Sequence, residues 1–598
     1  MSPHPSENIR SPLKAWVRAL ERTAPIVKSP TRTLPVVIDS LAQSFGAAPA
    51  LISREGALSY RELAEHAQRY GNWALAEGLC RGDVVGLLML NCPEYLAIWL
   101  GLTRIGVIVA LLNTHLRGSS LAHSIAIVAP KRIIVGPGLS EALQEIRTRT
   151  PSSVSFWTHG DNRLGWPRID AAVIEGSPAP IANTVERMPQ LKDRALYIYT
   201  SGTTGLPKAV TVSHLRLMHW SHWFAGMMDT SPGDRMYNCL PLYHSVGGVV
   251  ATGATLVGGG TVVLRERFSV REFWSDVVQQ RCTLFQYIGE LCRYLLAGPE
   301  STVEKRHILR LCCGIGLRAD VWQAFQSRFC IPQILEYYAT TEGSFSLYNC
   351  EGRAGSIGRI PPYLRHRMPV ALVEHDPQND TPRRDASGRC VRCGLGAVGE
   401  AIGALAAGDA ASGGAFEGYT DEASTRAKIL RDVFAPGDAW YRTGDLMRQD
   451  AAGYFYFVDR VGDTFRWRGE NVSTSEVADA IAGCRGVRDV AVFGIEVPHT
   501  DGRAGMAALV VDPDFDLASL RTEIIARLPE CARPVFVRIV PGLELTGTLK
   551  LNKQTLVARG IDPAQTTDAL YFDDRKLGAY VKLDAKLHER LNAGTVRV

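Results

Sequence analysis

The 598-residue chain has no excess of one charge: 66 Lys and Arg stand against 61 Asp and Glu, leaving a net of +5 over its whole length. A basic field able to hold a polyanion is missing, so nucleic acid is not an expected partner. The N-terminus lacks the short apolar run and small-residue cleavage site of a secretory signal, and the thirteen cysteines are odd in number and scattered. Both features lead to the expectation of a reducing, cytoplasmic compartment. Cys390 and Cys393 make one CxxC, but no second pair or spaced His pair follows, so a zinc site is not expected. The longest apolar stretch, residues 95–112, has Arg104 in its middle and Gly106 after it, which favours a buried helix and strand over a membrane span. Internal repeats are absent. What is present is enough apolar sequence for a large core, 46% hydrophobic against 21% charged, which excludes disorder, collagen and coiled coil.

Short aliphatic runs alternate with amphipathic stretches along the chain, the rhythm of an α/β protein with parallel sheet. Strands are expected at 84–90, 107–112, 132–135, 283–288, 308–314 and 333–338, with a helix over 93–102. Ser59 with Glu62 three residues later is a capping box that opens a helix through about Ala76. From Val370 to about Ala415 the aliphatic runs shorten and Asp, Gly, Ala and Arg dominate, as in a small subdomain of strands and loops. Beyond Asp459 the α/β pattern resumes: Ser473 and Glu476 cap a helix, 487–497 and 535–540 read as strands, and 517–528 as a helix between them. Three parts follow: a basic amphipathic lead at 1–34, a large α/β domain at 35–459 whose β-rich part covers about 370–459, and a small α/β domain at 460–598.

Residues 196–208 read LYIYTSGTTGLPK, an apolar strand running into hydroxyls, glycines and one lysine. This is the composition of a phosphate cradle. Gly202 and Gly205 let backbone N–H groups approach an oxyanion, Thr200, Ser201, Thr203 and Thr204 add hydroxyl donors, and Lys208 offsets phosphate charge. The spacing does not match GxxxxGK[ST], so it is not a Walker A loop.

At this segment the chain resembles the adenylate-forming superfamily of acyl-CoA synthetases, luciferases and peptide-synthetase adenylation domains, over nearly its whole length. Further motifs recur in order. Residues 338–342 read YATTE; the resemblance implies that Tyr338 offers an aromatic face to adenine, Thr341 meets the α-phosphate and Glu342 holds Mg²⁺. Asp445 in YRTGDL and Arg460 in VDRVGD match the residues that contact the ribose, and Gly314, Ile315 and Gly316 match the loop along the adenine. The adenylation lysine is expected from the C-terminal domain, at Lys550 in LTGTLKLNK, with Lys553 as the competing choice.

Such a set answers a chemical need. A carboxylate is inert toward a thiol because its leaving group would be oxide, so the oxygen must first be esterified to a phosphoryl group. Its attack on the α-phosphate of ATP brings two anions together, and the site must neutralise charge and hold the reactants in line. YIGELCRYLL at 287–296, DRVGDTFRWRGENVSTSEV at 459–477 and the TGTLKLNK ending are similar to the fatty-acid transport protein and very-long-chain acyl-CoA synthetase branch. That resemblance implies a fatty acid as substrate, ATP and Mg²⁺ for its activation and coenzyme A as the thiol. Gly469 corresponds to the glycine lining the pantetheine channel, and His244 in PLYHSVGG to the gate between acyl pocket and thiol tunnel. The C-terminal domain is then mobile, with Gly462 where the family carries its pivot. Rival readings are adenylation of an aryl or amino acid, and a fatty-acid uptake protein.

In the lead, Leu13, Trp16, Val17 and Leu20 fall at helical spacing with Lys14, Arg18 and Arg22 elsewhere around the helix. Such a helix either lies on the inner face of an anionic membrane or docks on its own protein.

Overall fold

The computed structural model describes residues 12–160, 163–177, 179–181, 188–201, 206–376, 381–405, 416–461, 463–467, 470–500, 502–544, 551–596 and 598. These divide into two compact units, residues 1–368 with 404–430, and 369–403 with 431–598.

The first unit is built on two sheets. One runs Ser155–Thr158, Arg132–Val135, Val84–Leu88, Ile108–Leu111, Arg194–Ser201, Pro207–Ser213, and is parallel except for its closing hairpin. The other has eight strands, in the order Ser346–Asn349, Ile334–Ala339, Leu311–Ile315, Leu284–Ile288, Arg235–Asn238, Thr261–Leu264, Pro49–Ile52, Ala57–Ser59, antiparallel only at its two edges. The central strands carry aliphatic residues on both faces, because helices cover both sides of a parallel sheet. The capping box forms as expected: the Ser59 side chain accepts from the Glu62 N–H, and the helix is Tyr60–Ala76. The apolar stretch at 95–112 is a buried helix, Pro93–Arg104, followed by the strand Ile108–Leu111. Arg104 is tolerated there because its guanidinium donates to both carboxylate oxygens of Asp39, at 2.6 and 2.7 Å. Among the described residues no helix is long and apolar enough to cross a membrane.

The lead forms the helix Pro12–Thr23, which docks on its own unit. Trp16 and Ala19 are fully buried against the helix His214–Met228, and the Trp16 ring meets those of Trp223 and Tyr348 edge-on. Arg18 and Arg22 donate to the carbonyls of Gly226 and Thr230 and fasten the end of that helix. Leu13 and Val17, at 52% and 40% exposure, stay outside the contact, so the apolar residues split between two faces.

In the second unit, Val370–Val373 pairs with Val398–Ala404, and Ala439–Gln449 forms a hairpin with Phe455–Arg460. A separate sheet of Val487–Glu496, Arg503–Val511, Phe536–Ile539, Ala569–Asp574 and Ala579–Lys582 carries the helices Thr474–Ala482 and Leu517–Arg527 on its own core. A further strand not expected from the sequence, Arg503–Val511, pairs with both Val487–Glu496 and Phe536–Ile539. Its text, RAGMAALVV, is poor in β-branched residues until its end, yet it is buried along nearly its whole length: position in the sheet, not propensity, makes it a strand.

Candidate active site

Two antiparallel strands flank the glycine-rich segment. Arg194–Ser201 leads into it and Pro207–Ser213 returns antiparallel, with Lys208 opposite Thr200. Gly202, Thr203, Thr204, Gly205 and the Ser201 side chain lie outside the described residues. A third stretch, 416–420, runs along the returning strand: the Thr211 N–H donates to the Gly418 carbonyl at 3.0 Å and the Thr420 N–H to the Ala209 carbonyl at 3.1 Å. That pairing puts the Tyr419 ring 5.7 Å from the Lys208 ammonium. Glu417 accepts from the Ser213 N–H and hydroxyl, at 2.7 and 2.6 Å, and the Ser213 oxygen caps the helix His214–Met228.

From that helix Arg216, fully buried, reaches the turn that follows Ile334–Ala339. Its guanidinium donates to the Thr341 carbonyl at 2.9 Å and the Gly343 carbonyl at 3.0 Å, and sits 5.4 Å from the Trp220 ring. The carboxylate between those carbonyls, Glu342, accepts from the Tyr419 hydroxyl at 2.7 Å through Oε1. Thr341 lies beside Ser245, hydroxyl to hydroxyl 3.3 Å. Ser245 begins the π-helical segment Ser245–Ala251, with His244 as the residue before it and the His244 ring 4.7 Å from that of Tyr243. Thr341, Glu342, Lys208, Thr200 and the His244 segment are thus tied into one network around the hairpin.

Tyr338, half-buried, is the last residue but one of the strand Ile334–Ala339, with its ring 5.9 Å from Phe345. Gly314 and Gly316 close the neighbouring strand, and Gly314 is in register with Glu336. A side chain at Gly314 would lie 2.4 Å from the Tyr287 carbonyl oxygen, and Gly316 has φ +77°, so both positions require glycine. Beneath this bend Glu336 is fully buried, accepting from the Tyr287 hydroxyl and from the Leu317 N–H at 3.0 Å. Burial pushes its carboxyl up to about 8 against the opposing pull of those bonds and of the Gly316 N–H. Thr200, Gly314 and the 340–343 turn stand at the carboxyl ends of parallel strands, where open α/β sheets bind ligands.

In the second unit, Asp445 and Arg460 are in register across the hairpin, Nε to Oδ1 3.3 Å. The Asp445 strand is anchored by Glu400, which accepts from Arg442 Nε at 2.7 Å and the Gly444 N–H at 3.1 Å. Burial raises the Glu400 carboxyl, but the His375 ring 3.7 Å away and the hydrogen bonds and charge of Arg442 outweigh it and hold the group below its ordinary value. Lys553 donates to the Thr474 hydroxyl at 3.1 Å, on the first turn of a helix capped by the buried Asp459, which takes the Thr474 N–H at 2.6 Å. Lys550, Gly462 and Gly469 lie outside the described residues.

Arg216, Tyr419 and Glu336 were not singled out from the sequence. A basic residue within an apolar run and a Gly-Tyr pair after a glycine-rich stretch were the visible signals.

The two sheets that end at this network have the fold of the adenylate-forming ligases. Solved structures share it: the anthranilate CoA ligase AuaEII in complex with anthranoyl-AMP superimposes with a TM-score of 0.75 at 20% identity, over 88% of this chain and 96% of that one. ATP-bound MatB from Rhodopseudomonas palustris gives 0.71 at 24% identity, over 87% and 98%. The chain belongs to the AMP-binding enzyme family, whose model matches residues 38–388, and the model of the AMP-binding enzyme C-terminal domain matches 476–550. Among curated relatives, long-chain fatty acid transport protein 1 of Mus musculus is 39% identical over 94% of this chain and 88% of its own length. Long-chain fatty acid transport protein 6 of Homo sapiens is 36% identical over 92% and 89%.

Proposed function

We propose that the protein is an ATP-dependent, AMP-forming ligase that joins a long- or very-long-chain fatty acid to AMP and then passes the acyl group to coenzyme A. The observation that carries this reading is the Lys208, Tyr419, Glu342 arrangement: a cation over the ring and a carboxylate at the hydroxyl of one buried phenol, beside the strands that flank a segment with the composition of a phosphate cradle. The branch motifs and the relatives named as long-chain fatty acid transport proteins support the acyl class.

A hard divalent cation fits Glu342. One carboxylate oxygen is used by Tyr419, and among the described residues no donor is bonded to the other. Nor is any group of three or more His, Cys, Asp or Glu gathered among them, so phosphate oxygens and water would complete the shell, as is usual for Mg²⁺. Bound there, Mg²⁺ would offset the negative charge of the phosphates. The chain's own residues do the rest. Lys208 and the hydroxyls of the 200–204 segment hold the β- and γ-phosphates, and Thr341 orients the α-phosphate. Tyr338 and the 314–316 bend take the adenine, and Asp445 with Arg460 the ribose hydroxyls. Lys550 stabilises the charge that grows as the acid oxygen attacks the α-phosphorus and pyrophosphate leaves. In the second step the thiol passes Gly469 and His244, sulfur bonds to the acyl carbon, and AMP departs with the electron pair of the broken C–O bond. A small C-terminal domain from about 460, mobile about Gly462, would alternate between the steps.

ATP/pyrophosphate exchange across fatty acids of graded length, followed by thioester detection, tests the reading. Exchange that rises with chain length and yields AMP supports it; exchange with aryl or amino acids alone, or release of ADP, overturns it. Leu13 and Val17, left exposed beside Lys14 on a docked helix, further support peripheral contact with an anionic membrane. Sedimentation with anionic vesicles checks this: Leu13→Glu with Val17→Glu should abolish binding, and unchanged binding would discard the contact.

A further inference from the structure

Tyr419 has a second consequence, which rests on the reading of Glu342 as the metal carboxylate. Its hydroxyl occupies Oε1 of Glu342 at 2.7 Å, and both side chains are about nine-tenths buried. The ring cannot follow the carboxylate if that swings. Its backbone is paired to the Pro207–Ser213 strand on both sides of the residue, Phe416 packs edge-on at 6.3 Å and Lys208 caps it at 5.7 Å. Arg216 holds the turn itself, through the carbonyls of the residues before and after Glu342.

Glu342 therefore favours meeting a cation through Oε2, since the phenol already fills one lone pair of Oε1. That distinction separates the common hard cations. Mg²⁺ takes six ligands in a tight octahedron, one oxygen per carboxylate, and keeps several waters. Ca²⁺ is larger, takes six to eight, and readily draws both oxygens of one carboxylate. We propose that the Tyr419 hydroxyl is a positioning group that enforces one-oxygen ligation by Glu342 and thereby selects Mg²⁺ over Ca²⁺ for the nucleotide complex.

The test is binding of cations by the full-length protein with α,β-methylene ATP, with Mn²⁺ bound and followed by electron paramagnetic resonance and displaced by Mg²⁺ or Ca²⁺. Wild type should favour Mg²⁺. Tyr419→Phe, which keeps the ring and removes only the donor, should lower the Mg²⁺ to Ca²⁺ affinity ratio about tenfold, the order expected for one hydrogen bond to a charged group. The fall should come from tighter Ca²⁺. Arg216→Lys, which loosens the turn but leaves the phenol, should weaken both cations and leave the ratio. An unchanged ratio in Tyr419→Phe, or an equal fall in Arg216→Lys, overturns the inference. So does a wild-type complex that holds Ca²⁺ as tightly as Mg²⁺, without any variant. A wild-type complex that binds nucleotide but no divalent cation removes the assignment of Glu342 itself, and this inference with it; one that binds no nucleotide removes the ligase reading.

Discussion

Glu336 gives the sharpest prediction about stability. It lies under the bend at 314–317, fully buried, and its surroundings are the Tyr287 phenol, the Cys292 and Cys313 thiols and the Tyr337 phenol, none of them cationic. Burial pushes the carboxyl up to about 8, and the bonds from Tyr287, Leu317 and Gly316 only partly offset this. In the unfolded chain a glutamate releases its proton near 4.3, so between that value and about 8 the folded state holds a proton that the unfolded state has lost. The raised pKa therefore stabilises the fold fully at pH below about 4.3, and the contribution is lost as pH climbs through the folded value, at up to about 1.4 kcal/mol per pH unit. Glu336→Gln removes the titration while keeping size and shape: Oε1 still accepts from Leu317, and the amide donates to a Tyr287 hydroxyl that reverses its role. Unfolding temperatures of both proteins measured between pH 5.5 and 8.5 should show the variant gaining on wild type as pH rises. A difference that stays constant over that range would refute the argument.

Lys550→Ala should suppress ATP/pyrophosphate exchange by about 10²–10³, the usual cost of one charge-stabilising donor, and spare thioester formation from supplied acyl adenylate. Equal loss in both steps would remove the role. Lys553→Met breaks the bond to Thr474 and should lower the unfolding temperature with exchange retained within about tenfold; a loss as deep as that of Lys550→Ala would transfer the role to Lys553. Trp16→Ala empties the contact between the rings of Trp223 and Tyr348 and should cost about 3–5 kcal/mol, read in thermal unfolding; a stability within about 1 kcal/mol of wild type would show that the docked helix adds little.

What the sequence determined by itself was local. The capping box at Ser59 and Glu62, the aliphatic strand at 132–135 and the helix opened by Ser473 are set by signals within a few residues, and each formed within a residue or two of its expected place. The strings at 196–208, 338–342 and 441–446 were equally visible, since each is short. The tertiary structure alone decided what holds those strings. Arg216 and Thr341 are 125 residues apart, Tyr419 and Glu342 77, Tyr287 and Glu336 49, and each pair meets only through strand register and helix packing. It also decided which side of the N-terminal helix faces inward and that Arg503–Val511 is a strand. A hydrogen bond across such separations, or a carboxyl shifted by burial, depends on which surfaces are removed from water together, and no local pattern of residues encodes that.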